Sequence, residues 1–327
     1  MPVSLGIQTP IMADATVADS KLSTSEQIST MWSLGGLTFK QFLKKVVAGI
    51  NDDNLVGRAA ELAFNFVLAL FPMLIFLLSM LGLFASHGKL LGGDLLSYFT
   101  KVLPPDAAHL LQKTLGEVMH NASNGKITFG IVLTLWFASG GMSSLISALD
   151  GVYEVKDSRS FIKVRVISVL LTIAISVLVV AALVAVLTGG YVASWIGSHY
   201  GLQHALVVAW RAGQVIVALA FITLAFSLIY YFGPDLEEQH WYWITPGSVV
   251  GVLLWIAASF GFRLYLHYFN TYGKTYGSLG AVMILLMWLY VTGFAFLIGG
   301  EINAQIEHAA ARHGHPEAKA AGEKKAA

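Results

Sequence analysis

The sequence predicts an all-α, polytopic membrane protein with six transmembrane helices plus amphipathic interfacial helices. Six long apolar stretches run at about 62–85, 127–149, 166–188, 205–232, 245–269 and 278–304. A helix rises about 1.5 Å per residue, so about 20 apolar residues cross a hydrocarbon core of about 30 Å, and each stretch is long enough. Hydrophobic residues make up 56% of the chain and charged residues 12%, against about 25% charged in a soluble domain. Mean hydropathy is +0.68. The absence of cysteine excludes disulfides, thiolate metal sites and a cysteine nucleophile.

Residues 1–37 mix Ser, Thr, Ala, Gly and Asp, with no basic segment leading into an apolar core. They read as a disordered N-terminal tail and not as a signal peptide. Residues 38–308 form the six-helix transmembrane domain. Residues 309–327, rich in Ala, Gly, Lys and His, read as a disordered C-terminal tail.

Cations outside the spans set the expected topology. The two tails and the even-numbered connections carry twelve Lys or Arg, four of them at Lys156, Arg159, Lys163 and Arg165. The odd-numbered connections carry five. The positive-inside rule therefore places both termini in the cytoplasm.

Two pieces outside the spans read as amphipathic helices. Phe39, Phe42, Leu43, Val46, Val47 and Ile50 recur at helical spacing, with Lys40, Lys44 and Lys45 on the other face. This helix suits the anionic inner leaflet, either as a membrane sensor or as an anchor leading into the first span. A second stripe follows Pro104-Pro105 through Leu110, Leu111, Leu115, Val118 and Met119. It is expected to cap the outer face.

Charged and polar groups inside the spans are the candidate site. A charge at mid-depth costs at least about 2.5–3.5 kcal/mol, so it normally faces protein or water. Arg58, Glu61 and Asn65 share one face of the first span, with Pro72 further along it. They line a cavity or form an interfacial ion pair. The run Ser139-Gly140-Gly141-Met142-Ser143-Ser144 permits either close helix packing or a broken helix that bares its backbone to a substrate. Arg211 and Arg263 fall in the outer half of the fourth and fifth spans, with Tyr276 nearby. They form an anion or lipid-headgroup site, or snorkel to the outer surface. Asp150, Glu301 and Asn303 belong to the inner half. Glu301 or Asp150 is expected to neutralise Arg58 across helices. An embedded carboxyl also carries a proton, so Glu301 is a candidate for proton coupling. His313 and His315 sit in the tail without carboxylate support, so no metal site is expected, and no cofactor motif is present.

These residues resemble the YihY/BrkB family. Arg58-Ala59-Ala60-Glu61-Leu62-Ala63-Phe64 with Leu70-Phe71-Pro72 is similar to its first-span motif. Tyr231-Phe232-Gly233-Pro234, Trp243 and Pro246-Gly247 resemble its connection between the fourth and fifth spans. Tyr276-Gly277-Ser278-Leu279-Gly280, Trp288-Leu289-Tyr290 and Gly299-Gly300-Glu301-Ile302-Asn303-Ala304 resemble its last-span motif. Asp150-Gly151-Val152-Tyr153 with Arg159-Ser160 resembles its basic connection, where the family more often has Asn than Asp at 150. The resemblance implies a six-helix bacterial inner-membrane protein with no settled activity. Some members carry an old ribonuclease label. Others are tied to serum resistance, or to lipopolysaccharide and lipid export.

Three functions compete. The first is a transporter or translocator of an anionic or lipid substrate, working among membrane lipids. No Walker motif is present, so its energy comes from a gradient or a partner. The second is an enzyme, disfavoured because no H-E-x-x-H or G-x-S-x-G motif occurs. The third is a scaffold or envelope-assembly factor, with Gly247 and Gly251 forming a G-x-x-x-G contact and a homo-oligomer as a candidate partner state. Nucleic acid is not an expected partner, because the chain lacks a large basic surface.

Overall fold

The computed structural model describes residues 32–86, 125–200, 203–237, 244–268, 278–315 and 318–325. Among them the regular structure is helical. After a short 3₁₀ turn at Leu34–Gly36 come α1 (Phe39–Asp52), α2 (Leu55–Ser86), α3 (Gly125–Val152) and α4 (Phe161–Tyr200). Then follow α5 (Gln203–Phe232), α6 (Pro246–Tyr268) and α7 (Ser278–Arg312). Five helices contain stretches long and apolar enough to cross a bilayer: Val132–Val152, Phe161–Leu183, Gly213–Phe232, Pro246–Tyr268 and Val282–Arg312. α2, over the first expected span, continues as helix through Pro72. The stripe expected after Pro104-Pro105 and the N-terminal tail to residue 31 lie outside the described residues.

The helix ends follow from local chemistry. Thr38 precedes α1, and its N–H donates to the Gln41 side chain at 3.1 Å. Asn54 turns the chain with φ +50° and accepts from the Gly57 N–H at 3.3 Å, capping α2. α6 starts with Pro246, where a missing N–H leaves no bond unmade. Thr245 and Ser248 cap it reciprocally, at 3.0 and 3.1 Å. Glu154 takes φ +57° and ends α3, so the chain reverses towards α4.

α7 is the hub. It packs against α6, α2, α3, α1 and the 3₁₀ turn. The main core joins Leu55, Ala59 and Leu62 of α2 to Leu145 and Leu149 of α3, Phe226 and Tyr230 of α5, Val252 of α6, and Leu297 of α7. A second cluster docks Phe42 and Val46 of α1 on Ile302 and Ile306 of α7. Glycine sets the closest crossing. A Cβ at Gly247 would overlap the Gly299 carbonyl, and one at Gly299 would overlap the Tyr230 hydroxyl. Both cores lie towards the end where α1, α3, α5 and α7 meet their polar connections, called the charged end below. Away from it the helices expose Leu133, Phe137, Ile216, Leu253, Phe260 and Met287, as a lipid-facing surface requires.

Two expectations change. The six apolar residues of α1 do not form one free face. Phe42, Val46 and Gly49 are buried against α7, while Phe39, Leu43 and Val47 are exposed. The chain after Arg312 is also not loose where it is described. Lys319 is buried and pairs with Glu307 at 3.3 Å, and the Glu237 N–H donates to the Lys324 carbonyl at 2.8 Å. Charged contacts hold a segment whose composition offers no apolar grip.

Candidate functional site

Arg58, Glu61 and Asn65 share a helix but not an environment. Arg58 is half-buried. Its Nε donates to the Asp53 carbonyl at 2.8 Å, and its guanidinium covers the bare Cα of Gly151. Glu61 is exposed, and Asn65 donates to the Glu61 backbone carbonyl at 3.0 Å. The expected ion pair from Arg58 to Asp150 or Glu301 does not form among the described residues. Asp150 and Glu301 each have another partner.

Asp150 belongs to a node that ties three connections together. Its carboxylate accepts from Arg159 Nη2 at 3.1 Å and from the Asp235 N–H at 2.7 Å. The same guanidinium reaches Asp157 at 2.9 Å and the Gly233 carbonyl at 2.9 Å. Asp235 accepts from the Ser158 N–H at 2.9 Å and pairs with Lys324 of the C-terminal segment. Burial resists the Asp235 charge, but the Lys324 and Ser158 donors and the Arg159 charge outweigh it and hold the carboxyl at about 2. Burial likewise opposes the Asp157 charge, and Arg159 overrides it to keep that carboxyl below its ordinary range.

Glu301 lies on the other side of α7 and is fully buried. Its Oε1 accepts from Gln305 at 2.9 Å, and its Oε2 has no hydrogen-bond partner. Gly49 of α1 makes the room, since a Cβ there would overlap the carboxyl. One turn on from Gly49, the Asp53 N–H donates to the Gly49 carbonyl at 2.9 Å. Burial, reinforced by the Glu154 charge, pushes the Asp53 carboxyl above its ordinary range.

Asn303 is structural glue between α6 and α7. Its Oδ1 accepts from the Gly247 N–H at 2.9 Å, and its Nδ2 donates to Thr245 Oγ1 at 3.1 Å. Burial holds the Tyr153 hydroxyl, at the end of α3, well above its ordinary range. Gly251 packs on Phe226 and Tyr230. Both glycines of the G-x-x-x-G pair make their close contacts with α5 and α7. The small-residue run of α3 is likewise packing. Helix α3 is unbroken, and Gly141 meets Ala69 and Phe66 of α2.

One cation that sequence reasoning counted as a loop charge reaches along the side of the helices. Arg165 stands in the first turns of α4, yet its guanidinium donates to the Trp136 carbonyl and lies 4.3 Å from the Trp136 ring centroid. It is level with Gly140, near the middle of the candidate span Val132–Val152. Side chains lean towards the N-terminus of their helix, which here is the charged end, but this one runs inward. Its Nε is buried without a hydrogen-bond partner, and among the described residues no carboxylate pairs with it. Arg263 is exposed near the far end of α6, while the Arg211 side chain and Tyr276 lie outside what is described. Among the described residues no three His, Cys, Asp or Glu converge as metal ligands.

Long apolar helices with ionised groups clamped at one end define a multi-pass membrane protein. The chain belongs to the virulence factor BrkB family, whose model matches residues 46–323. It is 32% identical over 263 residues to YfkH of Bacillus subtilis (strain 168), a protein with a ribonuclease-like name, covering 80% of this chain and 94% of the relative. It is 29% identical over 288 residues to UPF0761 membrane protein PBPRA3489 of Photobacterium profundum, covering 83% and 85%. A third relative, UPF0761 membrane protein RC1_0578 of Rhodospirillum centenum, is 29% identical over 260 residues, which cover 78% of this chain and 55% of that one. No solved structure matches the chain.

Proposed function

We propose that this protein translocates an anionic lipid or amphiphile across the bacterial cytoplasmic membrane, without an ATPase or a catalytic step of its own. In this reading α2 is the sixth span, and both termini face the cytoplasm, where the excess of cations lies. The observation that carries the reading is the Arg165 guanidinium, turned into the middle of a candidate span with a buried donor unused. A guanidinium keeps its charge and binds phosphate or carboxylate through its planar fork. An ionised group at such depth without a carboxylate partner is a functional site by default. Trp136 holds one face of the fork, and the neighbouring Val132, Leu133 and Phe137 are exposed, so acyl chains have access. α1 supports the same setting. Its exposed line Phe39, Leu43 and Val47 stands beside Lys40 and Lys44, suiting anionic headgroups.

The test is reconstitution of the full chain in vesicles of phosphatidylethanolamine and phosphatidylglycerol, with a fluorescent phosphatidylglycerol as reporter. Wild type should speed its exchange between leaflets. Arg165→Ala should lower the rate about tenfold or more, as loss of a charge-assisted contact implies, and Arg165→Lys should fall between the two. Equal rates for wild type and Arg165→Ala would sink the proposal.

A further inference from the structure

We propose that Lys324 and Lys325 form a latch that ties the segment after α7 to the connections α3–α4 and α5–α6. Anionic lipid headgroups open it by taking the two lysines. The latch does not rest on the translocation reading and lies apart from Arg165.

Three observations support it. First, the segment has an anchor, a hinge and a latch. Lys319 is the anchor, buried and paired with Glu307 of α7 at 3.3 Å. Gly322 is the hinge, with φ +80°, a conformation that glycine adopts without strain. Beyond it, Lys324 Nζ donates to Ser158 Oγ at 2.6 Å and pairs with Asp235. One ammonium group thereby joins the connection after α3 to the connection after α5. Lys325 pairs with Glu237 at 3.0 Å.

Second, the latch is reversible by construction. Residues 318–325 are Ala, Gly, Glu and Lys, so no large apolar side chain holds them down. The Lys325 and Glu237 side chains are 64% and 52% exposed. Ion pairs so placed contribute little, and salt screens them. Opening also leaves the node beneath intact. Arg159 still reaches Asp150 at 3.1 Å, Asp157 at 2.9 Å and Asp235 at 3.5 Å. Release of the lysines is therefore a switch and not an unfolding step.

Third, the competitor lies at the same level. Phe161 and Ile162, directly after the node, are 74% and 73% exposed. Apolar groups so bare belong in lipid, which sets the headgroups beside the connection 156–160. Each lysine near an anionic leaflet gains an attraction comparable to a surface ion pair. Asp157, Asp235 and Glu237 are repelled by the same leaflet, so membrane charge pulls the two halves of the latch apart.

The test is a spin-label distance measurement on the full chain, which has no native cysteine. Labels go on Lys156→Cys and Glu323→Cys, both exposed positions on either side of the latch. In phosphatidylcholine vesicles a short distance should dominate. In equal parts phosphatidylcholine and phosphatidylglycerol, the ratio of long to short distances should rise about tenfold. Inorganic phosphate added to phosphatidylcholine vesicles, with ionic strength matched by chloride, should not reproduce that rise. Lys324→Gln should raise the ratio in phosphatidylcholine alone. Elution as a single species in detergent checks that it has folded, and if it has not, the lipid comparison decides. The same distances in both lipids would overturn the proposal. So would a long distance already dominant in phosphatidylcholine, an equal rise with inorganic phosphate, or a folded Lys324→Gln variant that stays closed.

Discussion

Arg159 and Arg165 illustrate what a sequence withholds at the scale of single residues. Both stood out as cations of one basic connection, because the number of charges in a loop can be read directly. Which of them turns inward depends on the chain reversal at Glu154 and on the small residues of α3, and neither sets a periodicity. Asp150 was legible as a carboxylate near one end of its span. Its partner was not, because the reversal brings Arg159 back across nine residues to a pair whose side chains are each 5% exposed. Asp53 gave no signal at all, since it sits in a two-residue break between helices. Removing one member of a buried ion pair leaves the other uncompensated. Arg159→Ala should therefore destabilise the fold by about 3–5 kcal/mol, measured by thermal denaturation in detergent. Gly49→Ala should cost about 1–3 kcal/mol through overpacking, and less in combination with Glu301→Ala, which empties the space its Cβ needs. Additive effects would show that the two residues do not touch.

The elements themselves were largely legible, because apolar length and spacing are local properties. Each expected span falls within or nearly within a helix, and the helices run on past the apolar stretch, as α7 does to Arg312. Periodicity could not reveal that the apolar face of α1 serves two surroundings. A stripe that wide covers both the residues docked on α7 and those turned away, and the hydrophobic pattern treats them alike. The absence of native cysteine makes a clean test available. In vesicles, Leu43→Cys should react with a water-soluble maleimide about tenfold more slowly than Lys44→Cys, because the lipid shields it. Similar rates would place the exposed line in water. The C-terminal segment makes a second prediction. The Asp235 carboxyl is held at about 2 against 3.8 when free, so its contribution is complete above about pH 5 and is lost as the pH falls through 2. Protease cleavage near Lys324, by an acid-tolerant enzyme, should therefore stay slow at mild acidity and accelerate only in strong acid. Acceleration already near neutral pH would mean that Asp235 does not hold the segment.

For the molecule as a whole, the all-helical membrane architecture follows from hydropathy alone, because oil admits few other solutions to an unpaired backbone. The site did not follow in the same way. Arg165 comes from the first turns of α4 and Trp136 from the middle of α3, and hydropathy does not say which cation turns towards which helix. The ribonuclease-like name of the Bacillus relative also becomes testable at this scale. Purified protein should cleave RNA no faster than its Arg58→Ala variant, measured on a labelled transcript, and a clear excess in wild type would reopen the enzyme reading. One consequence reaches beyond the folded state. The helix that most others rest upon is translated after all of them. The growing polypeptide must therefore park α1, α2, α3 and α6 in the lipid with their small-residue faces unmated until the ribosome delivers α7. A message cut short before that point yields a set of stranded helices, which quality-control proteases in the membrane are suited to clear.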